Sequence, residues 1–165
     1  MKKSHDKITF TPIGVIRTSF ENKSGTPIQG HLAPESRGTV EVFPEYTEGL
    51  KDIEGFSHIL LVYCFHESKG YKLTAKPFLE DVERGIFAIR GPRRPNPIGV
   101  TVVQLDGREE NMLHVSGVDM LDGTPLLDIK PYVPVFDHFE EIKSGWLEKH
   151  ADNPRRRTAD GRFGE

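Results

Sequence analysis

Ten consecutive residues, Arg90-Gly91-Pro92-Arg93-Arg94-Pro95-Asn96-Pro97-Ile98-Gly99, place three guanidinium groups on a backbone stiffened by three prolines. Proline fixes φ and donates no backbone hydrogen bond, so this run is neither a helix interior nor a central strand. Gly91, Arg94 and Asn96 each precede a proline and are pushed towards extended geometry. A loop so constrained presents arginines and backbone amides to a ligand at little ordering cost. The plainer alternative is a stiff connection whose arginines are merely solvated. Other polar residues stand where apolar runs end. His66 and Glu67 follow His58-Ile59-Leu60-Leu61-Val62-Tyr63-Cys64-Phe65, and Arg90 follows Ile86-Phe87-Ala88-Ile89. Asp128 and Lys130 precede a second stiff segment, Pro131-Tyr132-Val133-Pro134. Together these suggest one composite pocket. Taken singly, His66 reads equally well as a satisfied strand-end histidine, and Asp128 with Lys130 as a structural ion pair.

Familiar ligand motifs are absent. The sequence has no GxGxxG after a strand and no Walker-type phosphate loop, which removes support for dinucleotide or nucleoside-triphosphate binding. Seven histidines show no HExxH and no paired metal spacing, so no metal is expected. No nucleophile elbow flags a serine or cysteine. The single cysteine, Cys64, rules out an internal disulfide and reads as a small buried hydrophobe inside its apolar run.

Several elements must position these groups. Residues 8–17 mix β-branched residues with Pro12 and Gly14 and read as a strand with an irregular entry. Residues 19–36 form a long polar loop of the kind that is usually functional or disordered. Residues 38–43 alternate as a half-exposed strand, 44–50 suit a short helix, and 58–65 read as a central strand buried on both faces. Residues 76–83 suit a helical turn or an ordered loop, and 86–89 a short strand delivering Arg90. Strands at 100–105 and 112–118 are joined by Asp106-Gly107-Arg108-Glu109-Glu110-Asn111, a hairpin signal. A turn at Asp122-Gly123-Thr124-Pro125 leads to a short strand at 126–130. Residues 136–149 carry partial helical spacing weakened by Gly145. Many short strands with few helices predict a mainly β, barrel-like domain.

The length of 165 residues fits one domain over 1–150, followed by a polar, basic tail over 151–165 that contains Arg155, Arg156 and Arg157. His5, His114, His138 and His150 read as surface residues. A charged fraction of 28%, a hydrophobic fraction of 36% and a net charge of −3 fit a soluble protein that does not coat nucleic acid or membrane non-specifically. A local basic patch remains open. No run approaches transmembrane length and none reads as a signal peptide, so a cytoplasmic location is expected.

The signature loop with Phe87-Ala88-Ile89 before it resembles that of the TsaA-like family, the YaeB or TrmO group of S-adenosyl-L-methionine-dependent tRNA methyltransferases. Four further segments agree in order: Ile13-Gly14-Val15-Ile16-Arg17, Pro27-Ile28-Gln29-Gly30, Gly55-Phe56-Ser57-His58 leading to Phe65-His66, and the block from Asp122 through Thr124 and Asp128 to Pro134. The likeness spans about residues 8–137. It implies a single-domain β-barrel that is neither Rossmann-like nor knotted, forms a homodimer, and transfers a methyl group to threonylcarbamoyladenosine beside the tRNA anticodon. By position it implies Gln29, Gly30, His31, His66, Glu67, Arg90, Leu121, Asp122, Gly123 and Thr124 around the methyl donor. His66 and Asp128 become candidate bases, with Arg93, Arg94, Asn96, Lys130 and Tyr132 towards the substrate. Two departures stand out: Gly91 replaces a frequent serine, and the sequence ends at Glu165 without the C-terminal domain of longer members. A sensor that binds the donor without transfer, an RNA-binding module using the arginine loop alone, and a methyltransferase with another acceptor are the competing readings.

Overall fold

The structure, a computed structural model, describes residues 6–150; His5 and the basic tail lie outside them. Eight strands form in chain order: β1 (Gly14–Thr18), β2 (Arg37–Val42), β3 (His58–Cys64), β4 (Thr74–Ala75), β5 (Arg84–Gly85), β6 (Ile98–Glu109), β7 (Met112–Ser116) and β8 (Thr124–Pro131). Six of them close into an antiparallel barrel in the order β1-β2-β7-β6-β3-β8, while β4 and β5 make a separate two-stranded ribbon. Closure removes the unpaired sheet edge that an open sheet of this size would expose. Among the described residues, helical structure is limited to one turn of α-helix, α1 (Pro134–Asp137), and short 3₁₀ turns.

The core follows from alternation along each strand, since every second side chain points inwards. Ile16, Val40, Val42, Ile59, Leu61, Val103, Leu113, Val115 and Leu126 meet on the axis. The same alternation corrects the expectation for β3. Ile59, Leu61 and Tyr63 are buried while Leu60, Val62 and Cys64 are half-buried, because the outer face of the barrel carries no second layer. Gly99 of the signature loop has a packing reason. It pairs with Tyr63 across the β3–β6 ladder, and a Cβ there would run into the Tyr63 ring.

Other boundaries also move. β1 starts at Gly14, with Ile8 and Phe10 left exposed before it. The expected hairpin forms within the 106–111 connection, but strand β6 runs on through Asp106-Gly107 as an irregularity, where Asp106 accepts hydrogen bonds from Ser116 and Gln104. The turn comes at Glu110-Asn111, with Glu110 in the left-handed region at φ 54, as two-residue hairpin loops require. Residues 86–88 form a 3₁₀ turn rather than a strand. Ile86 and Ile89, three apart, both pack towards Phe78 and Trp146, a period that suits a turn and not a sheet.

Leu61→Ala, at a fully buried position, is expected to lower unfolding free energy by about 2–5 kcal/mol. Leu60→Ala, on the outer face, is expected to cost clearly less. Urea titrations giving equal losses would contradict this inward and outward assignment.

Candidate functional site

One end of the barrel, where β3 stops and β6 and β8 begin, carries a cleft built from four separate chain segments. Gln29 comes from the early loop, and Phe65, His66 and Glu67 follow β3. Arg90 and Pro92 come from the proline loop, while Leu121 precedes β8 and Thr124 begins it. The cleft is narrow, about 130 Å³, so a nucleoside-sized ligand must extend beyond its mouth.

The proline loop is ordered by its own backbone. Pro92 accepts from Ser68 Oγ at 3.0 Å, Pro97 from the Phe65 amide at 2.7 Å, and Arg93 from the Lys72 amide at 3.2 Å. Its three arginines have different surroundings. Arg94 turns inward and donates to the carbonyls of Ile89 and Gly91 at 3.1 and 3.3 Å, with its guanidinium 6.0 Å over the Phe87 ring. Arg93 lines a separate groove with Lys72, Lys76, Asp81 and Glu83. Arg90 enters the cleft and donates to Gln29 Oε1 at 2.8 Å.

Beneath them lies Asp119, a residue that the sequence reading did not single out. Its Oδ2 accepts from the Gly30 amide at 2.8 Å, and its Oδ1 from the Thr101 hydroxyl at 2.8 Å and the Tyr63 hydroxyl at 3.4 Å. Burial pushes the Asp119 carboxyl above the usual carboxylate range, while hydrogen bonds from Thr101, Gly30 and Tyr63 and the nearby Arg90 charge pull the other way. Tyr63 is raised by burial first and by the Asp119 charge second. An acid between the buried side chains of Val118 and Met120 was the available signal. Gly30 must be glycine because a Cβ would meet the Gly117 carbonyl, and Gly117 itself sits at φ +83.

His66 faces the cleft with Nδ1 3.5 Å from Thr124 Oγ1 and Nε2 3.9 Å from Glu67 Oε1. Gln29, Glu67, Arg90, Leu121 and Thr124 join it, with Gly30 at the floor. Asp122 and Gly123 instead hold their turn to β1. Asp122 accepts from the Thr18 amide at 3.1 Å and lies 3.9 Å from Arg17, and the Gly123 amide donates to Ile16. His31 and Asn96 are exposed and do not line the cleft. Asp128 and Lys130 pair at 2.8 Å on β8, and Tyr132 donates its amide to His58 at the far end of β3. Four residues beyond Thr124, at about 3.3 Å each, Asp128 is roughly 13 Å along the strand from the cleft. Among the described residues no group of three His, Cys, Asp or Glu side chains is placed to hold a metal.

A sequence profile for the tRNA-methyltransferase O N-terminal domain matches residues 15–138. A Pyrococcus abyssi protein described as a "Probable S-adenosyl-L-methionine-binding protein" is 52% identical over 94% of this chain and 85% of its own length. A tRNA (adenine(37)-N6)-methyltransferase of Mus musculus is 38% identical over 76% of this chain and 31% of its own. The crystal structure of TrmO from Pseudomonas aeruginosa superposes with a TM-score of 0.74 at 40% identity, covering 89% of this chain and 64% of that one. The chain therefore spans most of the archaeal relative but under two thirds of the bacterial one.

Asp119→Asn keeps the size of the side chain and removes its charge. The folded acid titrates above its ordinary 3.8, so the native state binds more protons than the unfolded one as pH rises from there, and the wild type loses stability across that window. Urea titrations at pH 4 to 8 are expected to show the wild type falling relative to Asp119→Asn as pH increases; a constant difference would contradict a buried, charge-destabilised acid. Gly30→Ala is expected to weaken ligand binding in the cleft at least about tenfold by displacing Gln29, a shift read by calorimetry and argued from how costly small misplacements are.

Proposed function

The chain belongs to the tRNA-methyltransferase O N-terminal domain family, and from that membership and the cleft we propose that it methylates tRNA with S-adenosyl-L-methionine as donor. The acceptor is the exocyclic nitrogen of threonylcarbamoyladenosine beside the anticodon. The observation that carries this reading is the mixed character of the cleft. The donor combines a sulfonium, an ammonium, a carboxylate and a planar adenosyl group. Glu67 and Asp119 offer negative charge, Arg90 and Lys23 offer positive charge, and Ile28, Phe65 and Leu121 offer apolar walls. When bound, the donor would supply a sulfonium methyl group open to in-line attack by an aligned nitrogen, with S-adenosylhomocysteine as the leaving thioether.

That nitrogen is conjugated to a carbonyl and stays a poor nucleophile until its proton is drawn off. In this reading His66 takes it. Thr124 Oγ1 donates to Leu121 O at 2.7 Å and so can only accept from His66 Nδ1, which leaves the lone pair on Nε2. Once Nε2 is protonated, Glu67 at 3.9 Å steadies the imidazolium. In this reading Arg93, with Lys72 and Lys76 beside it in a groove that Asp81 and Glu83 also line, meets RNA phosphate, an attraction that salt weakens.

Asp128, Lys130 and Tyr132 lie away from the cleft, so their part in substrate handling requires a second copy. A homodimer is supported by the apolar surface that begins where β8 ends: Val135, Phe136, Phe139 and Ile142 are 83, 75, 68 and 66% exposed. Contiguous apolar exposure of this kind marks an interaction face. Archaeal relatives described as donor-binding proteins favour a second reading, donor binding without transfer.

Labelled donor incubated with tRNA is expected to label only tRNA that carries threonylcarbamoyladenosine, and His66→Ala to slow single-turnover transfer about 100-fold or more at saturating donor. Donor binding by calorimetry with no label on any RNA would select the sensor. Sedimentation is expected to give a dimer, converted to monomer by Phe136→Glu with Phe139→Glu; a wild-type monomer would remove the shared-site reading.

A further inference from the structure

Beside the donor cleft lies a second hollow of about 490 Å³. The two share Ile28, Gln29, Phe78 and Arg90, and the Arg90–Gln29 hydrogen bond of 2.8 Å stands at their boundary. Its other walls include Phe87, Ile89 and Trp146. We propose that this hollow receives the nucleobase of the methyl acceptor, a purine swung out of an RNA loop, with its carboxylate-bearing arm turned to Arg90. The inference rests on the methyltransferase reading above and names the place where that reaction meets its RNA.

Three observations carry it. In-line transfer needs the acceptor atom within about 3–3.5 Å of the methyl group, so the acceptor hollow must share a wall with the donor cleft. The grooves around Arg93 and around Arg17 share no lining residue with that cleft, whereas this hollow shares four. The walls suit a flat ring. Phe87 is 76% exposed although it borders the hollow, and the Trp146 indole is held in place, its Nε1 donating to Ala88 O at 2.8 Å with Arg84 lying 6.0 Å over its ring. Splayed RNA bases are recognised by stacking on such faces. The polar groups converge at one edge. Arginine has five N–H donors, and Gln29 takes one from Arg90, so the guanidinium retains donors for a carboxylate. A purely apolar occupant would bury that guanidinium without a matching acceptor. The volume lies within the range of small-ligand sites, about 300–1,000 Å³.

Trp146 is the single tryptophan of the chain, so its emission reports on the hollow. The probe is the nucleoside threonylcarbamoyladenosine, titrated into the full chain saturated with S-adenosylhomocysteine. The expected result is saturable quenching of Trp146, with no quenching by S-adenosylhomocysteine alone. Phe87→Ala, at an exposed position outside the donor cleft, is expected to raise the KM for a modified anticodon stem-loop about tenfold with donor affinity unchanged. Label transfer with no quenching and an unaltered KM in Phe87→Ala would overturn the hollow and keep the methyltransferase reading. Quenching with no transfer to any RNA would keep the hollow and remove that reading. Quenching by the donor product alone would give the hollow to the donor and overturn the inference.

Discussion

The Asp119 carboxylate ties the early loop to two strands, β3 and β6, that are already paired with each other. One oxygen fixes the Gly30 amide of the early loop, and the other takes the hydroxyls of Thr101 on β6 and Tyr63 on β3. Through Gly30 it sets Gln29, and through Gln29 it sets Arg90. Burying an acid is costly unless its lone pairs are filled, and here both oxygens are filled by donors from separate segments. A displacement of any one of them leaves the charge under-solvated, which makes the floor of the cleft cooperative rather than a sum of contacts.

The proline loop works on the same principle with backbone carbonyls in place of a carboxylate. Proline removes donors, so the carbonyls of Pro92 and Pro97 have no ladder of their own to enter. They are satisfied by Ser68 and Phe65 from the segment after β3. Arg94 closes the remaining gap from within. Holding the loop therefore uses up one arginine and leaves Arg90 and Arg93 to face two different hollows.

Much of this was legible in the sequence, and the reasons for the misses are physical. Alternation made the barrel strands readable, and stiffness made the loop readable. The 106–111 hairpin connection was drawn too wide because a turn dipeptide such as Asp106-Gly107 also suits a bulge, and only the partner register of β7 decides between them. The apolar run of β3 misled because a continuous run is written equally by a strand buried on both faces and by one whose outer face is merely half-covered. Asp119 was missed for a different reason. A buried acid is recognisable from its donors, and those come from residues 18, 56 and 89 positions away.

Chain direction around the barrel also explains why the candidate residues divide. β3 runs from His58 to the cleft while β8, antiparallel to it, starts at the cleft and runs back to His58. Residues early in the 122–134 block therefore meet the donor end, and residues late in it stand at the opposite end, beside the exposed apolar side chains from Val135 to Ile142. A motif contiguous in sequence is thus drawn out along the length of the barrel. The Asp128–Lys130 pair, 2.8 Å apart on the outer face, therefore stands outside the cleft of its own barrel.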